Sequence, residues 1–419
     1  MAILITNIKE LIQIEYEQRQ KVSGKEMSKL PTIENAWLYI ENETIKNFGR
    51  MEDFPGSEYA RIASYSQTTL IDAKGKMVFP AFCDSHTHLV YDGSRETEYI
   101  DKIKGLSYEE IAKRGGGILN SAKRLRQASE QQLIDQALER LEEIKFLGTG
   151  AVEIKSGYGL TTESELKMLR VIRKLKELTS LTIRSTFLGA HAVPQDYKGN
   201  QAGYVDLIIN EMIPMVAAED LADYIDVFCD RGFFTPEETE RILMAGIKHG
   251  LRPKIHANEL DFSGGVQVGV KYNSLSVDHL EFTGDAEIKA LLDSETMPTL
   301  LPGAAFFLGM VQPPARKMIE SGLPVALASD YNPGSSPSGN MQLIMAMGSI
   351  LLKLVPEEVI NAVTLNGAYA MGVEDQLGSI AMGKTANLFI TKTIPSYAFM
   401  PYAYGSNKVE KVIINGKIQ

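Results

Sequence analysis

Cysteine is nearly missing from this sequence: 419 residues hold two, Cys83 and Cys229, far apart and in no CxxC pair. A disulfide framework and a thiolate-bound structural zinc module are left without support, and a reducing cytoplasm fits. No basic run or aromatic-interleaved Lys/Arg patch offsets the formal net charge of −10. Phosphate backbones and anionic lipid would be repelled, so nucleic acid and membrane are not expected as partners. Long apolar runs are absent too. The opening MAILITNIKELIQI is interrupted by Lys9 and Glu10, leaving neither a signal-peptide core with a cleavage site nor a membrane span, and the expected location is cytoplasmic. Internal repeats and low-complexity stretches are lacking as well. What remains is an ordinary globular composition, 44% hydrophobic and 23% charged, on a chain long enough for one large barrel and a smaller companion.

From Met1 to about Lys76, short apolar stretches (AILIT, AWLYI, TLIDA) alternate with polar turns, which reads as small antiparallel strands. The other end repeats the pattern in ANLFI and KVIINGKI, where Asn415-Gly416 is a hairpin signal. Residues 1–76 and 381–419 are therefore expected to form one composite, β-sandwich-like domain around a barrel of residues 77–380. Within that middle, strand-like runs alternate with amphipathic helical stretches such as EQQLIDQALERLEEIKFL and PEETERILMAGIKHG. The candidate strands are MVFPAFCDSHTH, GAVEIKSGYG, LTIRSTFLGAHA, YIDVFCDRG, RPKIHANEL, SLSVDHLEF, MPTLLPGA and PVALASDYNPG. They are as many as close a (β/α)₈ TIM barrel, an α/β fold.

The unusual polar residues fall at the C-terminal ends of those runs, where the active sites of such barrels are built. His86 and His88 in CDSHTHLV are two apart on a strand, so their imidazoles project from one face and can converge on one metal ion. His256 ends the fifth run, His279 the sixth and Asp330 the eighth. His249, in the last turn of a helix before a glycine, reads instead as a residue that meets the helix dipole.

An HxH on strand one, a histidine on five, another on six and an aspartate on eight resemble the signature of the amidohydrolase superfamily. Some of its members hold two metals on a carbamylated lysine at the end of strand four. Here that strand reads DVFCDRGF, without lysine, and Lys155 at the end of strand two reads as a structural or supporting residue. The resemblance thus implies one metal held by His86, His88, His256 and Asp330, either zinc or iron. It makes Glu259 the proton shuttle, and His279 either a polariser of the attacked carbonyl or a fifth ligand.

Finer segments, namely PAFCDSHTHLVYDGSRETEY, RGGGI, EIKSGYGL, TFLGAHAVP, FCDRGFF, HANEL and SDYNPGSSP, are similar to those of the imidazolonepropionase family. That likeness implies hydrolysis of 4-imidazolone-5-propanoate to N-formimidoyl-L-glutamate in histidine degradation, by a homodimer. Arg95 would hold the propionate as a bidentate clamp. Tyr158, His191, Glu259, Asn332, Gly334 and Ser335 would contact substrate, Tyr108 would face its tail, and the glycines at 115–117 would form a lid. Two other readings stay open: a deaminase of a nucleobase-like ring using the same metal set, and a non-catalytic scaffold of the same fold.

Overall fold

The first apolar stretch forms the strand Ala2–Ile12, with Thr32–Glu41 antiparallel beside it and Thr44–Arg50 beyond. On its other side Met77–Pro80 pairs with it in parallel, and Leu388–Thr391, Val409–Ile414 and Lys417–Ile418 continue the same sheet. The computed structural model describes residues 2–54, 56–64, 68–106 and 116–419, and in it both chain ends thus share one mixed sheet. Its apolar face buries Ile3, Ile5, Ile8, Leu38, Leu388, Ile390 and Ile413 in a core of its own. Asn415 and Gly416 both have positive φ, 50° and 66°, the left-handed pair expected of an Asn-Gly hairpin. The sheet is not purely antiparallel: Thr68–Asp72 runs parallel to Ala2–Thr6. Along the chain the helix Gly56–Ser64 lies between Thr44–Arg50 and Thr68–Asp72, and this longer return permits the parallel direction.

All eight expected barrel strands form, in chain order and in parallel: Phe82–Thr87, Thr149–Lys155, Thr182–Ala190, Tyr224–Cys229, Ile255–Ala257, Ser276–His279, Met297–Leu300 and Ala326–Leu327. The first differs from its expectation. The run MVFPAFCDSHTH is two strands, because Met77–Pro80 belongs to the terminal sheet and Phe82 begins the barrel. Ala81 N donates to Asn387 O at 2.9 Å and Phe82 N to Gly148 O at 2.9 Å, so the chain changes sheets within one residue.

Between first and last strands the ring is closed by a parallel bridge from Thr87 to Tyr331. His88 N donates to Tyr331 O at 3.0 Å and Asp330 N to His86 O at 3.0 Å. The helices stand outside. Glu130–Phe146 is capped by Ser129, and Pro236–Lys248 by a capping box of Thr235 and Glu238. His249 sits exposed at the end of the latter, away from the barrel mouth. Among the described residues no helix is long and apolar enough to cross a membrane.

Candidate active site

Five of the six histidines gather at the C-terminal mouth of the barrel. His86, His256 and His279 form one group with ligand atoms within 4.8 Å of one another; His88, His191 and His256 form a second, and His86, His88 and Asp330 a third. His88 Nε2 lies 3.4 Å from His256 Nε2, and Asp330 Oδ1 stands 3.5 Å from His86 Nε2 and 3.7 Å from His88 Nε2. The backbone is bent to achieve this. His279 and Leu280 adopt φ of 86° and 70°, Asp330 53° and Asn258 58°, left-handed conformations that L-residues hold only under tertiary constraint.

Beneath this cluster lies a layer of charge of which sequence reasoning picked out only Lys155, as a structural or supporting residue. His86 Nδ1 donates to Asp278 Oδ2 at 2.7 Å, and His256 Nδ1 stands 3.0 Å from Asp226 Oδ2, so both rings turn Nε2 toward the centre. Lys155 joins the two carboxylates, with Nζ 2.8 Å from Asp226 Oδ2 and 3.5 Å from Asp278 Oδ2, and it also donates to Glu153 Oε1 at 2.7 Å. Lys254 pairs with the other oxygen of Glu153 and donates to the carbonyls of Ser85 and Ala370 at 3.1 and 3.0 Å. These five charged side chains are fully buried. Burial opposes the Lys155 charge, yet Asp226 and Glu153 hold its pKa above the usual lysine range. The available signal was a charged residue inside each of several apolar strands, as in YIDVFC and GAVEIK.

A cavity of about 400 Å³ opens above the cluster, and Arg95, Tyr158, His191, Glu259, His279, Asp330, Asn332, Gly334 and Ser335 all line it. The structure therefore brings these residues into one chamber, together with Lys102 and Phe228, which sequence reasoning did not pick. Tyr108 and Gly115 lie outside the described residues. Glu259 is held by its backbone, whose N–H donates to Asp230 Oδ2 at 2.7 Å, and its carboxylate comes within 3.7 Å of His279 Nδ1. Burial, reinforced by Asp330 and Asp230, raises its pKa to about 8. His191 Nδ1 stands 3.1 Å from Gly157 O, which makes that nitrogen the N–H and leaves Nε2 as an acceptor. Burial pushes this ring's pKa down to about 3, so it is neutral. Burial also raises the Tyr158 phenol far above neutral pH, keeping it a hydroxyl donor.

Two expected contacts are more committed than the sequence suggested. Arg95 already donates through Nε to Glu98 Oε2 at 2.8 Å and through Nη2 to the same oxygen, which turns its remaining nitrogen, Nη1, toward Gly334. Asn332 uses its amide inside its own loop: Nδ2 donates to Asp330 O and Ser335 Oγ at 2.7 Å each, and Oδ1 accepts from the N–H groups of Gly334 and Ser335. That loop also sends Ser335 Oγ to Asp330 Oδ2 at 3.2 Å.

An amidohydrolase-family profile matches residues 237–419. Over 418 residues, covering the whole of both chains, the sequence is 56% identical to the imidazolonepropionase of Flavobacterium johnsoniae and 54% identical to that of Christiangramia forsetii. The chain belongs to the imidazolonepropionase family. Similarity extends to the imidazolonepropionase of Alkaliphilus oremlandii, at 41% identity over 99% of this chain and 97% of that one. Among solved structures, a triazine hydrolase variant superposes with a TM-score of 0.76 and E. coli guanine deaminase with 0.74. Both are 14% identical; they span 100% of this chain and 94% and 98% of their own, and at that distance they establish the fold alone.

In this imidazolonepropionase-family chain the histidine and aspartate cluster has the makings of a metal site, as in other amidohydrolases. His86 Nε2 is fully buried with no hydrogen-bond partner, although its Nδ1 is held by Asp278. An orphaned acceptor facing other ring nitrogens and a carboxylate is the donor set a transition metal satisfies. Lys155, bound on every side by acids, is committed to support.

Proposed function

We propose that the chain hydrolyses the ring amide of 4-imidazolone-5-propanoate to N-formimidoyl-L-glutamate, a step of histidine breakdown, as a cytoplasmic homodimer. The observation that carries this reading is the chamber itself, in which a histidine and aspartate cluster and a guanidinium line the same space. The full-length likeness to imidazolonepropionases supports it. On this reading the hydrolase barrel begins at Phe82 and runs to about residue 380, and the segments before and after it form a composite domain that frames it, with Met77–Pro80 on the side of that domain.

His86, His88, His256 and Asp330 would hold one zinc or iron ion, which when bound acidifies water and polarises a carbonyl. Glu259 takes the proton of the attacking water and returns it to the departing ring nitrogen, a task suited to a carboxyl raised to about 8 by burial. His279, beside Glu259, donates to the carbonyl oxygen as negative charge develops there. Tyr158 and neutral His191 hold the ring by hydrogen bonds. Arg95 Nη1, Gly334 and Ser335 receive the propionate, and Asn332 keeps that loop in shape.

The direct test is freshly generated 4-imidazolone-5-propanoate followed by loss of ultraviolet absorbance, with cytosine, guanine and dihydroorotate in parallel. Turnover of the imidazolone alone, abolished in His256→Ala, is the expected result; turnover of a nucleobase instead would overturn the assignment. Gly334→Ala gives a finer check. A Cβ there would lie 2.2 Å from Arg95 Nη1, while the backbone has no positive φ to resist it. KM is expected to rise about tenfold, the equivalent of one hydrogen bond to a charged group, with kcat nearly kept. A wild-type KM would remove Arg95 from the tail site.

A further inference from the structure

The helix Glu96–Ile103 begins at Arg95 and carries Glu98 and Lys102 at intervals of three and four, so all three side chains lie along one face. That face looks into the chamber, because Arg95 and Lys102 both line it. The same two residues, with Glu98, Tyr99 and Phe307, also line an adjoining hollow of about 330 Å³ that shares Gly334 with the chamber.

The charges along this face do not cancel. Glu98 Oε2 accepts from both Nε and Nη2 of Arg95, so that pair is neutral as a unit. Lys102 has no carboxylate within ion-pair distance among the described residues, and the centroid of the Phe307 ring lies 6.0 Å from its Nζ. Burial, with Arg95 close by, outweighs the opposing pull of Glu98 and lowers the pKa of this ammonium below the usual lysine range. A half-buried cation with no ion-pair partner among the described residues, at the mouth of a substrate cavity, is suited to a negatively charged ligand.

We propose that Lys102 is a specificity-determining residue: together with Arg95 it takes the carboxylate of an anionic substrate tail and supplies the net positive charge that the Arg95–Glu98 pair lacks. This rests on the proposed activity and deepens it. Arg95 offers one free nitrogen with fixed direction, and Lys102 offers a point charge on a flexible stem. The two together select for a carboxylate over an uncharged tail of the same size.

The test uses the metal-loaded enzyme with 4-imidazolone-5-propanoate and with the corresponding propanamide, which has the same ring and length but no charge. For Lys102→Met, KM for the propanoate is expected to rise about tenfold, as for loss of one charge-assisted contact, with the loss confined to KM. KM for the propanamide stays at its wild-type value, and Lys102→Arg restores most of the discrimination. An unchanged KM for the propanoate in Lys102→Met, or an equal loss with both compounds, would overturn the proposal, the second because it marks a structural effect. Wild-type enzyme inert toward both compounds would instead overturn the activity on which the proposal stands.

Discussion

Glu259→Gln is expected to lower kcat by about 10²–10⁴-fold, the range for loss of a positioned acid and base, while the protein keeps its metal and its fold. The same substitution is expected to stabilise the metal-free protein at alkaline pH, and the sign follows from the burial. The folded carboxyl is raised from an ordinary 4.5 to about 8, so between those values the native state holds a proton that the unfolded chain has released. Stability falls as pH rises through that window and is level beyond it. Glutamine has no charge to bury. Denaturant melts of metal-free protein should therefore find the two forms equal near pH 4 and the variant ahead by a few kcal/mol, at most about 4, near pH 8. A variant that keeps catalysis within tenfold of wild type would dismiss Glu259 as the shuttle. Melts that never diverge would mean the carboxyl is solvated.

Lys155→Met should be the most damaging change away from substrate. It leaves Asp226 and Asp278 fully buried without the ammonium that joins them, and breaking a buried ionic network in this way costs about 3–5 kcal/mol. Because those carboxylates orient His256 and His86, metal affinity should fall about 10–100-fold as well, as when the outer partners of ligating histidines are removed. Chelator competition reads the second effect separately from the melts that read the first. Wild-type metal retention in a variant of lowered stability would confine Lys155 to holding the barrel together.

The barrel was legible in the sequence because each ligand candidate closes an apolar run. His256, His279 and Asp330 needed only their positions at strand ends to be noticed, and the HxH spacing put His86 and His88 on one face. The charged layer was not legible for the same reason inverted. Glu153, Lys155, Asp226, Lys254 and Asp278 come from four strands or strand edges. Nothing local says that their side chains meet; that follows only when the sheet curls into a ring. A continuous apolar run also conceals a change of partner, which is why Met77–Pro80 read as the start of the first barrel strand rather than the edge of another sheet. That Arg95 lines the chamber was foreseeable from its place in the first loop. Its engagement with Glu98 and the exposure of Lys102 to the chamber depend on which face of a short helix turns inward.

The place where the ring shuts has a consequence for when the enzyme first exists as one. Ser329 reaches back to Asp84 across 245 residues, and beside that contact the backbones of Asp330 and His88 are tied to His86 and Tyr331. This seam brings together the chain's most distant barrel partners, and joining them carries a loop-closure cost that shorter pairings do not. It is also where Asp330 comes to stand beside His86 and His88. A chain folded through its seventh strand has a barrel wall but lacks Asp330 beside His86 and His88. On the proposed ligand set, competence to grip a cation would arrive with the last stitch, and a bound cation, by favouring only the sewn form, would work as a clasp on the seam.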